Sequence, residues 1–433
     1  MNPQSSFMVL APIIPERESA LRDLLATMNV APGRVNADNT LIPFSRCETL
    51  HFARFVILDD NTLEDVAAYG LAKQTYPLYL AFLGDVDGEG DHFLEEIGRL
   101  AENGLREIFS CCEGVSPDTD LIQWMKSYRA PAVASYVNWQ GRTVGRVREE
   151  AALRNLLGDY LQDHATELTG RTPREIQATL KRFVNNETAS GRIRLTAEDS
   201  TPLDWRLRDL LHLVGVPLLF ILASPLIIVA APLFVTRLRN QERTDPELCE
   251  RVDDQWSDQL ASLEDHDVTN QFTAMGSLKP GFVRLCTTIL VLSLVDYAAR
   301  HVFTRGRLAR IRTIHFARWV FLDGRRRMVF FSNYDGTVES YMDDFINKTG
   351  FGLNAVFTNG IGYPRTSWLV LGGCEDERKY KDFLRRHTLP TQVWYKAYPG
   401  LTAIDLERNG RIRKGLESSS MSDKDLREWA ALL

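Results

Sequence analysis

The chain has 433 residues, roughly two to three times the length of a typical single domain, so it holds more than one hydrophobic core. Its 44% hydrophobic and 25% charged residues exclude a disordered or low-complexity protein. A formal charge of -6 argues against a nucleic-acid partner, and a mean hydropathy of -0.20 excludes a polytopic membrane protein.

A repeated nine-residue motif divides the chain. The segment HFARFVILD at 51–59 and the segment HFARWVFLD at 315–323 agree at all but two positions. The similarity continues beyond the motif, where GDVDG at 84–88 corresponds to SNYDG at 332–336. Two homologous units are the simplest explanation.

These units define the predicted domains. We predict a ferredoxin-like repeat at 1–150, a helical connector at 151–269, a second repeat at 270–415 and a C-terminal tail at 416–433. In chain order, each repeat is predicted as a strand, a helix, two strands, a helix and a closing strand, which is the ferredoxin-like order. The clearest predicted strands are 7–13, 51–59 and 132–139 in the first repeat and 272–278, 315–323, 325–333 and 391–398 in the second.

The element order resembles the dimeric α/β barrel superfamily. Its duplicated members include dye-decolorizing peroxidases, and chlorite dismutases are relatives. The resemblance covers both repeats, about two thirds of the chain. It implies an α+β fold of two ferredoxin-like (βαββαβ) repeats whose sheets lie face to face and form an eight-stranded barrel. Whether the two units face each other within one chain or pair across a homo-oligomer stays open.

The GDVDG stretch adds a second resemblance. It has the form of the GxxDG motif of dye-decolorizing peroxidases, which implies that Asp87 lies at the distal face of a haem in a peroxidase-like oxidoreductase. The second copy, SNYDG, departs from this form. In the alternative interpretation, Asp87 belongs to a strand-to-helix turn and its carboxylate lies near a helix N-terminus.

The HFAR motif supplies the other candidate site residues. In a regular strand, His51 and His315 lie on one face and Arg54 and Arg318 on the other, so the two residue types cannot line one cavity. If the histidine face lines the barrel, His315 could bind haem iron through a neutral nitrogen, with His51 as its counterpart. The candidate catalytic residues are then Asp87, Arg54 and Arg318. In the structural alternative, the histidine starts the strand and the arginine pairs with the acidic second helix.

The connector contains the longest apolar run. Residues 210–235 carry no formal charge, and a straight helix of this length spans roughly 39 Å, enough for the ~30 Å hydrocarbon core. Pro217, Pro225 and Pro232 interrupt it, so a kinked span, a re-entrant hairpin and an interfacial helix are all open. Arginines flank both ends, which fits a segment whose ends stay on one anionic cytoplasmic face. The alternative is a buried core helix.

Two further features follow in the second repeat. The apolar stretch 285–295 is too short to span a bilayer and is predicted either to lie beside the connector segment or to form an unusually buried helix. Three arginines, Arg325 to Arg327, follow a hairpin-turn signal at 323–324 and are candidates for contact with lipid phosphates. A solvated turn is the alternative.

The cysteines and the N-terminus bear on localisation. The six cysteines form no CxxC pair, so neither a disulfide framework nor a structural metal is expected. The N-terminal sequence lacks the charged start and apolar core of a secretory signal. We therefore expect a membrane-associated protein whose soluble domains are cytoplasmic.

Two functional hypotheses remain. In the first, the protein binds a hydrophobic small molecule or haem and acts as a peroxidase-like oxidoreductase on a lipid-like substrate. In the second, it is a non-catalytic binding or assembly module tethered to membrane lipid, and the HFAR motif serves the fold.

Overall fold

A computed structural model describes residues 3–198, 200–248 and 250–433. The chain is a mixed α+β protein. The strands are β1 (Gln4–Pro12), β2 (Asn29–Ala31), β3 (Arg34–Val35), β4 (Leu50–Leu58), β5 (Tyr79–Asp87), β6 (Ala134–Val137), β7 (Thr269–Ser277), β8 (Ile314–Leu322), β9 (Arg327–Asp335), β10 (Thr366–Ser367), β11 (Leu371–Gly372) and β12 (Thr391–Lys396).

The helices of the described residues include one of exceptional length. They are α1 (Glu18–Ala26), α2 (Leu63–Ala68), α3 (Gly90–Leu100), α4 (Glu102–Phe109), α5 (Leu121–Ser127), α6 (Val144–Asp163), α7 (Ala165–Leu168), α8 (Pro173–Ala189), α9 (Leu203–Thr244), α10 (Asp254–Ala261), α11 (Phe282–His301), α12 (Val338–Phe357), α13 (Glu377–His387), α14 (Ala403–Glu417) and α15 (Asp423–Ala430).

Two four-stranded antiparallel sheets form the centre of the fold. Their strand orders are β1-β5-β4-β12 and β6-β8-β9-β7. The two HFAR strands, β4 and β8, occupy equivalent places, and the predicted hairpin turn at 323–324 joins β8 to β9. Strands β1, β5 and β4 therefore pair in the same order as β7, β9 and β8, and the two units lie within one chain.

The closing strands differ from the prediction. β6 of the first repeat pairs with β8 of the second, and β12 of the second repeat pairs with β4 of the first. Before each closing strand the chain makes a single bridge to its own repeat, Arg129 to Val9 and Thr388 to Ala274. Pro131 and Pro390 follow these bridges; since proline has no N–H, it ends pairing along that edge. Independent ferredoxin-like repeats are not confirmed, and the predicted barrel is not closed.

The sheets pack face to face and are covered by helices on their outer sides. Apolar side chains from both sheets fill the space between them, namely Met8, Val56, Leu58, Ala81, Leu83, Met275, Val320, Leu322, Val329, Phe331 and Leu389. Helices α3 to α5 cover the first sheet and α11 to α13 cover the second. Because both faces of each sheet are buried, the HFAR strands are buried along nearly their whole length.

A third core joins the connector to the C-terminal part of the chain. Helices α6 and α8 pack on α14 and α15 through Leu153, Leu157, Leu180, Val184, Ile412, Leu416 and Trp429. Helix α8 begins with a capping box: Thr172 and Glu175 bond each other's backbone N–H groups. Such reciprocal bonds satisfy donors that the first helical turn leaves free.

Helix α9 contains the whole apolar run of the connector. It continues through three prolines, and its most apolar 18-residue window is 0% buried, so it is not a buried core helix. By length and composition, α9 and α11 are each sufficient to cross a membrane. Proline deprives the carbonyl four residues earlier of its donor. Side-chain hydroxyls replace two of these donors: Ser224 bonds the Ile221 oxygen, and Tyr297 of α11 bonds the Leu213 oxygen.

Candidate functional site

Each HFAR strand is irregular at its histidine. The register between β4 and β5 shifts between Leu50 and Phe52, and the register between β8 and β9 shifts between Ile314 and Phe316. A bulge breaks the alternation of side chains along a strand. The alternation expected of a regular strand therefore does not by itself fix the direction of the histidine at this position.

His51 is hydrogen-bonded through both ring nitrogens. Its Nε2 lies 3.0 Å from Oδ1 of Asp87 and its Nδ1 lies 3.0 Å from the hydroxyl of Tyr398. The second oxygen of Asp87 accepts from the backbone N–H of Val144, 2.9 Å away, in the first turn of α6. The alternative interpretation places the Asp87 carboxylate near a helix N-terminus, and the carboxylate does lie at one. The helix is α6, however, not the one that follows the turn.

The second repeat contains the same arrangement. Nε2 of His315 lies 2.6 Å from Oδ1 of Asp335, whose other oxygen accepts from Ala403 N–H, 2.7 Å away, in the first turn of α14. The hydroxyl of Thr269 also donates to Asp335. The last aspartate of GDVDG and that of SNYDG therefore do the same thing: each joins the histidine of its own repeat to a helix N-terminus.

The two HFAR arginines cross the gap between the sheets. Arg54 donates to the Phe272 and Ser332 carbonyls at 3.0 and 2.9 Å and to the Asn333 side chain. Arg54 and Asn333 thus link the first repeat to the second. The predicted pairing of this arginine with the acidic second helix of its own repeat is replaced by bonds to strands of the other repeat.

Arg318 repeats this pattern in the opposite direction. It donates to the Phe7 and Gly84 carbonyls at 2.9 and 3.0 Å and forms an ion pair with Asp85. Asn333 in turn donates to Asp85 at 3.1 Å. Burial lowers the pKa of Arg54, and the charge of Asp85 opposes that shift. We call Arg54, Arg318, Asp85 and Asn333 the inter-sheet cluster.

Sequence reasoning missed two members of this cluster. Asp85 and Asn333 occupy the same position in GDVDG and SNYDG, so the repeat alignment already placed polar side chains there. A polar residue inside an otherwise apolar strand is a signal for a buried partner. The five predicted site residues are found in two kinds of place: Arg54 and Arg318 in the inter-sheet cluster, and His51, Asp87 and His315 in the histidine–aspartate pairs.

The histidine environment does not fit a haem-iron ligand. His315 is 1% exposed, its ring lies against that of Phe52, and its Nε2 faces the Asp335 carboxylate. Both nitrogens of His51 have partners as well. Among the described residues, no group of three or more His, Cys, Asp and Glu could hold a metal ion. Iron ligation through Nε2 of His315 would require the loss of its carboxylate bond, and ligation through Nδ1 would require a haem to reach a side chain that is 1% exposed.

The two seams between the sheets are closed differently. At one seam, Trp394 of β12 stacks on Phe52 at 5.4 Å and lies 5.0 Å from the Arg54 guanidinium. Lys396 of the same strand donates to the Thr269 carbonyl at 3.2 Å. Together these long side chains fill the space between β12 and β7.

The equivalent seam is open. Ser135 lies opposite Arg318, as Trp394 lies opposite Arg54. Ser135 and Val137 line a cavity of about 530 Å³ that extends to Arg318. Helices α9 and α11 form its outer wall with Trp205, Arg206, Asp209, Asp296 and Arg300. We call this space the seam cavity; it exists because small side chains stand where the other repeat has tryptophan and lysine.

Helix α9 is attached to α11 near its beginning. Asp209 pairs with Arg300 at 2.8 Å, and His212 lies 2.8 Å from His301. Near its end, Asp245 directly after α9 pairs with Arg284 at the other end of α11. The two helices are therefore antiparallel, and both ends of the apolar run are tied to one folded body.

Between these two attachments, the segment of α9 is much longer than the segment of α11. From Leu213 to Asp245 the chain of α9 measures about 48 Å, whereas Arg284 and Tyr297, their partners on α11, are about 20 Å apart along that helix. The difference of about 28 Å exceeds the combined reach of the side chains that make these contacts. Helix α9 therefore bows away from α11, and its three prolines are the points where a helix bends.

Comparisons of the chain with protein-family models, with curated proteins and with solved structures find no match. The resemblance to the dimeric α/β barrel superfamily thus stays a prediction.

Proposed function

We propose that this protein is a non-catalytic, membrane-tethered binding module. The observation that carries the proposal is the exposed apolar run of α9, held at both ends by the same folded body. Its exposed side chains include Leu218, Leu219, Ile221, Leu222, Leu226, Ile228, Val229 and Leu233. An exposed patch of this size in water is costly, and contact with lipid removes the cost.

The charges around this run favour insertion from one side of a bilayer. Arg206 and Arg208 precede it, and Arg237, Arg239 and Arg243 follow it. Arg239 pairs with the buried Glu242. Because both ends remain on the folded body, the other four arginines, which are exposed, meet the same membrane surface, where anionic headgroups attract them. A bowed helix that dips into the bilayer and returns fits these constraints better than a straight span does.

The seam cavity supports the binding part of the proposal. A volume of about 530 Å³ is in the range of small-molecule sites. Its walls combine Arg206 and Arg300 with Ser135 and Trp205, so a polar small molecule suits it better than a hydrophobic one. Since α9 forms part of the wall, the site lies next to the membrane attachment.

Vesicle flotation of the full-length protein tests the tether. The variant L219Q/L222Q/L226Q/V229Q replaces four exposed apolar side chains of α9 without removing a buried contact. The partition coefficient should fall more than ~100-fold, because each leucine contributes about 1.5–3 kcal/mol when it enters an apolar phase.

A matched control changes exposed apolar side chains elsewhere. The variant V30Q/F351Q/L371Q/I404Q carries four such changes outside α9 and α11, and it should float as the unmodified protein does. If the α9 variant floats equally well while its circular dichroism is unchanged, α9 is not the tether.

A further inference from the structure

A second cavity lies where α9 and α11 meet at their other ends. Its volume is about 430 Å³, and it is bounded by the α2 region, the start of α11 and the β8–β9 hairpin. Its apolar wall is formed mainly by Leu63, Val66, Tyr76, Phe282, Leu285 and Ile361. We call it the hairpin cavity.

The hairpin tip adopts an unusual backbone conformation. Asp323, Gly324 and Arg325 all have positive φ, at 50°, 64° and 69°, and two of them are not glycine, so this turn is strained. Asp323 is held in place by Arg327 at 2.6 Å and by the hydroxyl of Tyr79 at 2.8 Å. These buried contacts fix the turn and place the next two arginines at the rim of the cavity.

The rim is positively charged without local compensation. Arg325 and Arg326 are exposed, and no Asp or Glu is among the described residues that line this cavity. Arg326 donates to the neutral side chain of Gln74 at 2.6 Å. Arg325 has no hydrogen-bond or ion-pair partner in the described part of the chain. The buried Lys279, in contrast, is already paired with Asp245 at 3.2 Å.

The cavity borders the start of the apolar helix α11 and lies close to the polar end of α9. Phe282 is the first residue of α11 and is 78% exposed. A methyl group added to Gly281, in the cavity wall, would lie 3.4 Å from the Gln241 side chain near the end of α9. A molecule in this cavity therefore has apolar helix surface on one side and two guanidinium groups on the other.

We propose that the hairpin cavity binds the headgroup of an anionic phospholipid. The phosphate lies between Arg325 and Arg326, because guanidinium groups bind phosphate oxygens with paired hydrogen bonds. The glycerol and the upper acyl chains lie against Phe282 and Leu285. This inference rests on the proposed membrane tether and adds a lipid class to it.

Flotation with two vesicle compositions tests the site. The full-length protein is mixed with phosphatidylcholine vesicles and with phosphatidylcholine vesicles that contain phosphatidic acid. It should bind the second kind more tightly, and R325Q/R326Q should weaken this preference by roughly fivefold for each arginine, while the arginines that flank the apolar run of α9 keep the remainder. The matched control R182Q/R194Q removes two exposed arginines from the α8 region and should keep the preference.

Soluble competitors identify the source of the phosphate. Dihexanoylphosphatidic acid should reduce binding to anionic vesicles at concentrations where inorganic phosphate has no effect, because only the lipid contacts the apolar wall. Equal competition by inorganic phosphate would overturn the lipid assignment in favour of a free-anion site.

The remaining outcomes separate this inference from the tether. Equal binding to both vesicle compositions, or equal loss of preference in R325Q/R326Q and R182Q/R194Q, would overturn the headgroup site and leave the tether standing. Failure of the unmodified protein to float with either composition would overturn both proposals.

Discussion

Arg54 of the first repeat donates a hydrogen bond to Asn333 of the second, and beside it Arg318 of the second repeat forms an ion pair with Asp85 of the first. The repeat relates these two pairs, but only one of them contains a carboxylate. Two buried guanidinium groups thus share a single negative charge in a gap that is otherwise apolar. A buried charge is tolerated only where it is paired and hydrogen-bonded.

The charge of Asp85 is therefore critical for stability. Asp85→Asn leaves both arginines without a buried counter-charge and should lower the free energy of unfolding by about 3–5 kcal/mol. Thermal melting of the detergent-solubilised protein, followed by far-ultraviolet circular dichroism, measures this loss. The matched control Asp423→Asn removes the carboxylate of an exposed ion pair with Arg174 and should cost much less, because exposed ion pairs contribute little to stability. Equal losses in the two variants would contradict the charge argument.

The sequence repeat predicts which strands of the two units are equivalent, but it does not predict which strand pairs at the edge of each sheet. The matching HFAR segments identified β4 and β8, yet alternation along a strand specifies its faces, not the edge it joins. The exchange of β6 and β12 between the sheets depends on the position of the other repeat, which no local pattern contains. Pro131 and Pro390 were the only local signals of a break in pairing.

The sequence identifies the site residues, but it does not identify the contacts that they make in the structure. The recurrence of the motif singles out His51 and Arg54, and both are buried and hydrogen-bonded in the structure. Their partners lie far away in sequence: Tyr398 for His51 and Asn333 for Arg54. Long-range contacts of this kind arise from sheet packing, whereas the exposed run of α9 depends only on local composition and was predicted directly.

One seam is filled by Trp394 and the other is open at Ser135, so exchanging these two residue types should affect stability differently at the two seams. Trp394→Ser removes the ring that stacks on Phe52 and covers Arg54, and the cavity it leaves should lower the free energy of unfolding by about 3–5 kcal/mol. Ser135→Trp places a ring in the open seam cavity and should change stability by less than about 1.5 kcal/mol. Melting temperatures of both variants check this. A loss in Ser135→Trp as large as that in Trp394→Ser would show that the seam has no room for a ring.

The histidine–aspartate pairs predict a colourless protein. Nε2 of His315 is bonded to Asp335 and the side chain is 1% exposed, so protein expressed with added haem should show no Soret band, and His315→Ala should leave the visible spectrum unchanged. His51→Ala serves as the matched control in the other repeat. A Soret band that disappears in His315→Ala and persists in His51→Ala would establish haem ligation and contradict the binding-module proposal.

His387 predicts a pH dependence of stability. The residue is buried at the end of α13, its Nδ1 lies 2.8 Å from the Phe383 carbonyl, and the absence of a side chain at Gly276 leaves room for its ring. Burial lowers the pKa of His387 below its ordinary value of 6.5. The unfolded chain therefore takes up the proton first as the pH falls, and the stability present above pH ~6.5 is lost below it.

The size of this loss can be isolated by substitution. Between pH 7 and pH 5, the unfolded chain takes up a proton at His387 that the folded state does not. This difference lowers the free energy of unfolding by up to about 2 kcal/mol. His387→Asn removes the titrating group, so its free energy of unfolding should fall less over this pH range than that of the unmodified protein. Urea denaturation in detergent, followed by tryptophan fluorescence, gives both slopes. His266→Gln, a change at an exposed histidine, should keep the original slope; if His387→Asn keeps it as well, another group causes the acid sensitivity.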